Sequence, residues 1–214
     1  MSKLLLSMAL ALVAIVSSFA AEALTPEQQE VKQFIEKMYS YDPDTFSFGD
    51  FSKKTGKPFL RNRVQDNSGK YEPAKQCALL REFYDELIIK QTAGNGVVQC
   101  DADFRYPGLA AEEESPDTRD ITIPSPKIAT PVVKGDLAKV QVVIEGEDID
   151  TVQIVYFLHK TKQGWRVSNG MIHRRAPLDN HPECRYTFIK KPTAEEFKEV
   201  PPSCRELLPS NYRP

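Results

Sequence analysis

The apolar positions follow a helical period early in the chain and a strand period in its middle. Val31, Phe34, Ile35, Met38 and Tyr39 share one helical face. Thr25, Pro26 and Gln28 precede them as a capping hydroxyl, a proline at the first helical position and a capping-box partner. The pattern predicts a first helix ending near Tyr41, before Asp42-Pro43-Asp44. Cys77, Leu80, Tyr84, Leu87 and Ile88, with Leu79 and Phe83 beside them, predict a second helix from about Pro73 to Thr92, stopped by Gly94-Asn95-Gly96. Between the helices, Phe46, Phe48 and Phe51 alternate with small polar residues, and Gly49, Gly56, Pro58 and Gly69 interrupt. This stretch reads as a loop-rich linker tucking aromatics under the core, with a short helix around Arg61.

Residues 101–118 are acidic and irregular, and Glu112-Glu113-Glu114 reads as a solvated loop. Short strands are predicted at Ile121–Ile123 and Lys127–Val133. The clearest strand signal runs from Leu137 to Ile172. Ala138, Val140, Val142 and Ile144 alternate with polar residues, the polar loop 146–150 reverses the chain, and Thr151–Lys160 returns. Thr161-Lys162-Gln163-Gly164 is a second turn, and Trp165 opens the third strand of an antiparallel meander. The middle strand is apolar on both faces: Val152, Ile154, Tyr156 and Leu158 on one, Val155 and Phe157 on the other. Both faces therefore need cover. Helices cover one; a second subunit or the chain's own C-terminal tail covers the other.

The N-terminus reads as a signal peptide, residues 1–20. Lys3 precedes a largely apolar stretch, Leu4–Val16, and the small residues Ser18 and Ala20 flank Phe19 ahead of cleavage after Ala20. The alternative, a membrane anchor, needs more length: thirteen residues make about 20 Å of helix against a bilayer core of about 30 Å. Without a cysteine at the cleavage site or an Asn-x-Ser/Thr acceptor, the expectation is a periplasmic or secreted bacterial protein. Lys+Arg 28 against Asp+Glu 30 leaves no basic surplus for nucleic acid or an anionic membrane.

Four cysteines in an oxidising compartment read as two disulfides, and Cys77–Cys100 and Cys184–Cys204 each lie within one local unit. An extended return from Thr92 to Cys100 covers about the length of the predicted helix, which lets Cys100 reach Cys77. Without a Cys-x-x-Cys and with scattered histidines, no metal site and no cofactor is expected. The tail, 177–214, holds seven of the sixteen prolines, a disulfide and a Thr193–Glu196 capping box. It reads as an ordered, stapled extension of a domain spanning 21–176.

The aromatic-ended first helix (Phe34, Tyr39), the Asp101-Ala102-Asp103-Phe104 stretch, the Asp136–Val140 strand and the Gly164-Trp165-Arg166-Val167 turn-and-strand resemble the nuclear transport factor 2-like superfamily, above all its secreted bacterial members of unknown function. The resemblance covers residues 26–175. It implies an α+β fold, N-terminal helices packed on a curved antiparallel sheet as a cone, with a pocket between them and a homodimer through the outer sheet face. Fold alone fixes no chemistry.

Enzymes of that superfamily use an acid–base carboxylate and a tyrosine inside the cone. Tyr39, Tyr156, Asp101, Asp103 and His173 are the matching types here, and an apolar cone would favour a protonated Asp103. Each also has a plainer reading: Tyr39 as core, the aspartates as turn caps. His173 shares strand parity with Trp165 and Val167, which aims it inward unless a bulge at Asn169-Gly170 reverses the parity. Without a catalytic motif, the leading expectation is a non-enzymatic binding protein, an inhibitor or immunity protein for a secreted toxin or cell-wall enzyme. The alternatives are a small-ligand binder using the cone pocket, or a cone-type isomerase or hydrolase.

Overall fold

A computed structural model describes residues 23–42, 45, 49–60, 69–94, 97–102, 125–145, 151–175, 184 and 186–213. The proposed signal peptide, Phe46, Phe48, the helix around Arg61, Asp103, the 108–118 loop, the Ile121–Ile123 strand and the 146–150 loop lie outside them.

Helix α1, Pro26–Tyr39, starts as its sequence predicts. Thr25 Oγ1 accepts the Gln28 amide at 3.2 Å, and Gln28 Oε1 accepts the Thr25 amide at 2.9 Å. Val31, Ile35, Met38 and Tyr39 are buried on one face. The linker is more ordered than expected: β1 (Asp50–Ser52) pairs antiparallel with β2 (Gly69–Tyr71), and Phe51 enters the core.

The second helix is shorter than its periodicity predicts. Helix α2 spans Pro73–Phe83 only. Tyr84 is extended and bridges Val167, and the Asp85 amide donates to the Val167 carbonyl at 2.9 Å, so the sheet edge captures the chain as it leaves the helix. A 3-10 turn, Glu86–Ile88, leads into β3 (Ile89–Gly94), which pairs with β4 (Val97–Ala102). Gly94 stands opposite Val97, leaving Asn95-Gly96 between them. That dipeptide is a stronger hairpin signal than a helix stop. The Cys77–Cys100 disulfide forms, but Cys100 arrives on a hairpin strand packed beside α2, not on an extended return along a long helix.

The main sheet is curved and antiparallel, with strand order β10-β9-β8-β7-β5 and β6 also on β7. The predicted strand at 127–133 is two short pieces, β5 (Lys127–Ile128) and β6 (Val132–Lys134). Strands β7 (Leu137–Ile144), β8 (Thr151–Thr161) and β9 (Gly164–Arg175) form the meander. A two-residue turn joins β8 to β9, and Gly164, at φ 104°, occupies backbone space that a side chain would strain. Val140, Val142, Ile144, Val152, Ile154, Tyr156, Leu158, Trp165 and Val167 are buried in one cluster with Val31, Ile35, Met38, Leu80 and Phe83 of the helices.

The opposite face answers the question posed by β8. Val155 and Met171 form a second cluster with Phe188, Val200, Cys204 and Leu208, with Phe157 packed against it. The cover is the tail. Its strand β10 (Tyr186–Phe188) extends the sheet beside β9, and short helices α3 (Ala194–Phe197) and α4 (Pro202–Arg205) follow. The Thr193–Glu196 capping box is made in full, and Cys184–Cys204 is bonded.

Candidate functional site

Tyr39 ends the buried face of α1, and Tyr156 sits at the centre of β8, opposite Val140 and Gly170. Their hydroxyls lie 2.7 Å apart, and the rings meet edge to face at 6.3 Å. Both are buried. Two of the five sequence candidates therefore converge, as a polar tie between helix and sheet inside an apolar core. Asp101 belongs to the β3–β4 hairpin, a separate two-stranded unit, where it pairs with Lys90.

His173 does not join them. Leu158 pairs with Val167 but Phe157 pairs with Asn169, so Ser168 is an extra residue in β9. This bulge reverses the parity of everything after it. Trp165 and Val167 face the helices; Asn169, Met171 and His173 face the tail. His173 stacks on Tyr186 of β10 with ring centres 4.5 Å apart and planes 13° apart. Burial pushes the Tyr186 phenol above its ordinary value.

Three polar features escaped the sequence reading. Asn169, wholly buried on the outer face, donates to Glu196 Oε2 at 2.9 Å, while its Oδ1 accepts the Gly170 and Lys190 amides. Glu196 is also the capping residue of α3, so one carboxylate joins the bulged strand to the tail. His159 Nε2 lies 3.5 Å from Asp85 Oδ2 at the sheet edge. Lys160 pairs with Glu30 of α1 at 2.7 Å and lies over the Trp165 ring, 5.4 Å from its centre. Only the last was readable in advance: a two-residue turn puts Lys160 directly across from Trp165.

Among the described residues no group of three His, Cys, Asp or Glu could hold a metal, and no helix is long and apolar enough to cross a membrane. Three clefts lined by described residues, of about 550, 350 and 360 Å³, open to solvent. The third borders Tyr39, beside Lys32, Glu36, Ser40 and Ile128. Two disulfides, one in the body and one in the tail, are the pattern of a protein from an oxidising, extracytoplasmic setting. No family model matches the chain, and neither a curated protein nor a solved structure matches it.

Proposed function

We propose that this chain is a non-enzymatic binding protein of the bacterial periplasm or the secreted medium. In this reading it engages a protein partner, a secreted toxin or cell-wall enzyme, and restrains it. The observation that supports it is the packing between helices and sheet. Apolar side chains of the helices and of the sheet are buried together in one cluster, and the Tyr39 and Tyr156 hydroxyls tie helix to sheet within it, which favours a partner bound at the surface.

A nuclear transport factor 2-like cone is the fold proposed with it, supported by α1 lying on a curved sheet whose long meander ends in the Gly164-Trp165 strand. A homodimer through the outer face would have to form beside or upon the tail, which occupies the area around Val155 and Met171.

The test is co-purification of the mature protein from the extracytoplasmic fraction at physiological salt. The expected result is a stoichiometric partner whose activity falls when purified protein is added. No partner, or a partner whose activity is unchanged, overturns the reading.

A further inference from the structure

Trp165 is 2% exposed, and its indole Nε1 is buried without a hydrogen-bond partner. No other side-chain nitrogen or oxygen among the described residues shares that state. An unmet buried donor is rare and calls for an explanation, of which an acceptor supplied from outside the chain is one. Two of the open clefts meet at this residue. The larger, about 550 Å³, is lined by Thr25, Gln28, Val133, Asp136 and Lys160 beside it. The smaller, about 350 Å³, is lined by Glu30, Phe34, Phe83 and Arg166. The Glu30–Lys160 bridge has one partner in each cleft and passes over the ring they share.

We propose that the two clefts are one binding site for a small monoanionic carboxylate on an apolar body. The Lys160 ammonium is its first donor, the Glu30 carboxylate is a built-in occupant that the ligand displaces, and the Trp165 N–H, sealed while the bridge over the ring is closed, is the second donor once the bridge opens. Lys160 already donates to a carboxylate here, at 2.7 Å, so exchanging Glu30 for a ligand leaves the charge at Lys160 unchanged. The bridge is easily opened, because its side chains are 36% and 47% exposed and exposed pairs hold weakly. Val133 and Phe34, both half-buried, offer apolar surface for the ligand's body, with the covered Phe83 and indole beneath them. In the smaller cleft Glu82 is paired with Lys37 at 3.2 Å, while Glu27 and Asp136 line the larger cleft and disfavour a dianion such as phosphate. Cleft sizes of this order suit small molecules. The site stands apart from the partner-restraint reading and survives its failure.

Trp165 is the only tryptophan of the chain, so intrinsic emission reports on this site alone. The probe is phenylacetate, with phenylacetamide as the uncharged control. Phenylacetate is expected to change the emission saturably and the amide to leave it unchanged. Glu30→Gln removes the competitor and tightens phenylacetate about two- to fivefold, the worth of an exposed ion pair. Lys160→Met weakens it about ten- to a hundredfold, the range for a hydrogen bond to a charged group. Trp165→Phe, followed by calorimetry, weakens it while leaving the amide's behaviour unchanged. A peptide ending in phenylalanine, free against amidated at its C-terminus, separates a free metabolite from a chain terminus as the source of the carboxylate. Equal responses to acid and amide, no response, or a Glu30→Gln affinity equal to wild type overturns the proposal, and Glu30→Gln alters only an exposed side chain.

Discussion

The tail should open independently of the domain it covers when its staple is removed. The perturbation is Cys184→Ala with Cys204→Ala; alanine is preferred to serine because Cys204 is buried in an apolar cluster, where a hydroxyl would lack a partner. The disulfide spans 20 residues, and closing a loop of that length removes about 3 kcal/mol of freedom from the open state. At about 1.4 kcal/mol per factor of ten, the open population rises roughly a hundredfold. Among the described residues, what remains on the tail includes a three-residue strand pairing, the outer apolar cluster, the His173–Tyr186 stack, the bonds of Asn169 to Glu196 and Lys190, and the Lys139–Glu199 pair. The body keeps its own disulfide and the larger core, so opening is sub-global. Trypsin under native conditions reads the open population at Lys198 and Arg205, and Trp165 emission reads the body. Cleavage at those two sites should accelerate about a hundredfold while the denaturation midpoint of Trp165 holds. If tail cleavage and Trp165 unfolding accelerate together, tail and body are one cooperative unit and the layered reading is wrong. If cleavage is unchanged, the staple does not constrain the tail.

Tyr39→Phe and Tyr156→Phe should each cost about 1 kcal/mol in urea denaturation and show a coupling of similar size in the double variant, because the two hydroxyls share one bond. A coupling under about 0.3 kcal/mol would mean that the hydroxyls act independently. Burial holds the Tyr186 phenol neutral beyond its ordinary pKa of 10.0. The raised folded value means that the site's contribution to stability is complete below pH 10.0 and declines as the pH climbs through the folded pKa. In a difference absorbance titration of wild type against Tyr186→Phe, the missing phenolate transition should therefore lie above pH 10.0; a transition at or below it would show that burial is not in control.

What was legible in the chain is what local chemistry decides. Both capping boxes, at Thr25 and Thr193, form as written, and so does the turn before Trp165. The apolar pattern on both faces of β8 correctly demands a second cover, and the stapled tail supplies it. The failures come where a distant contact competes with a local pattern. Tyr84, Leu87 and Ile88 continue the helical period of α2, yet the edge of β9 takes the backbone of Tyr84 and Asp85 first, and the Asn95-Gly96 hairpin signal then outranks the helical one. His173 is parted from Tyr156 for a sharper reason. Placing Tyr156 and His173 in one pocket assumes an unbroken period of two from Trp165 onward. A single extra residue, Ser168, puts a 0%-exposed tyrosine on one side of the sheet and the histidine on the other, against Tyr186. A bulge costs little when Asn169 gains Glu196 and two backbone amides by it, and those partners lie 27 residues or fewer from it in the chain. The tail therefore does more than cover the outer face: its polar contacts favour the register that turns His173 away from the interior, so the same segment that closes the fold also removes the histidine from any catalytic arrangement with Tyr156.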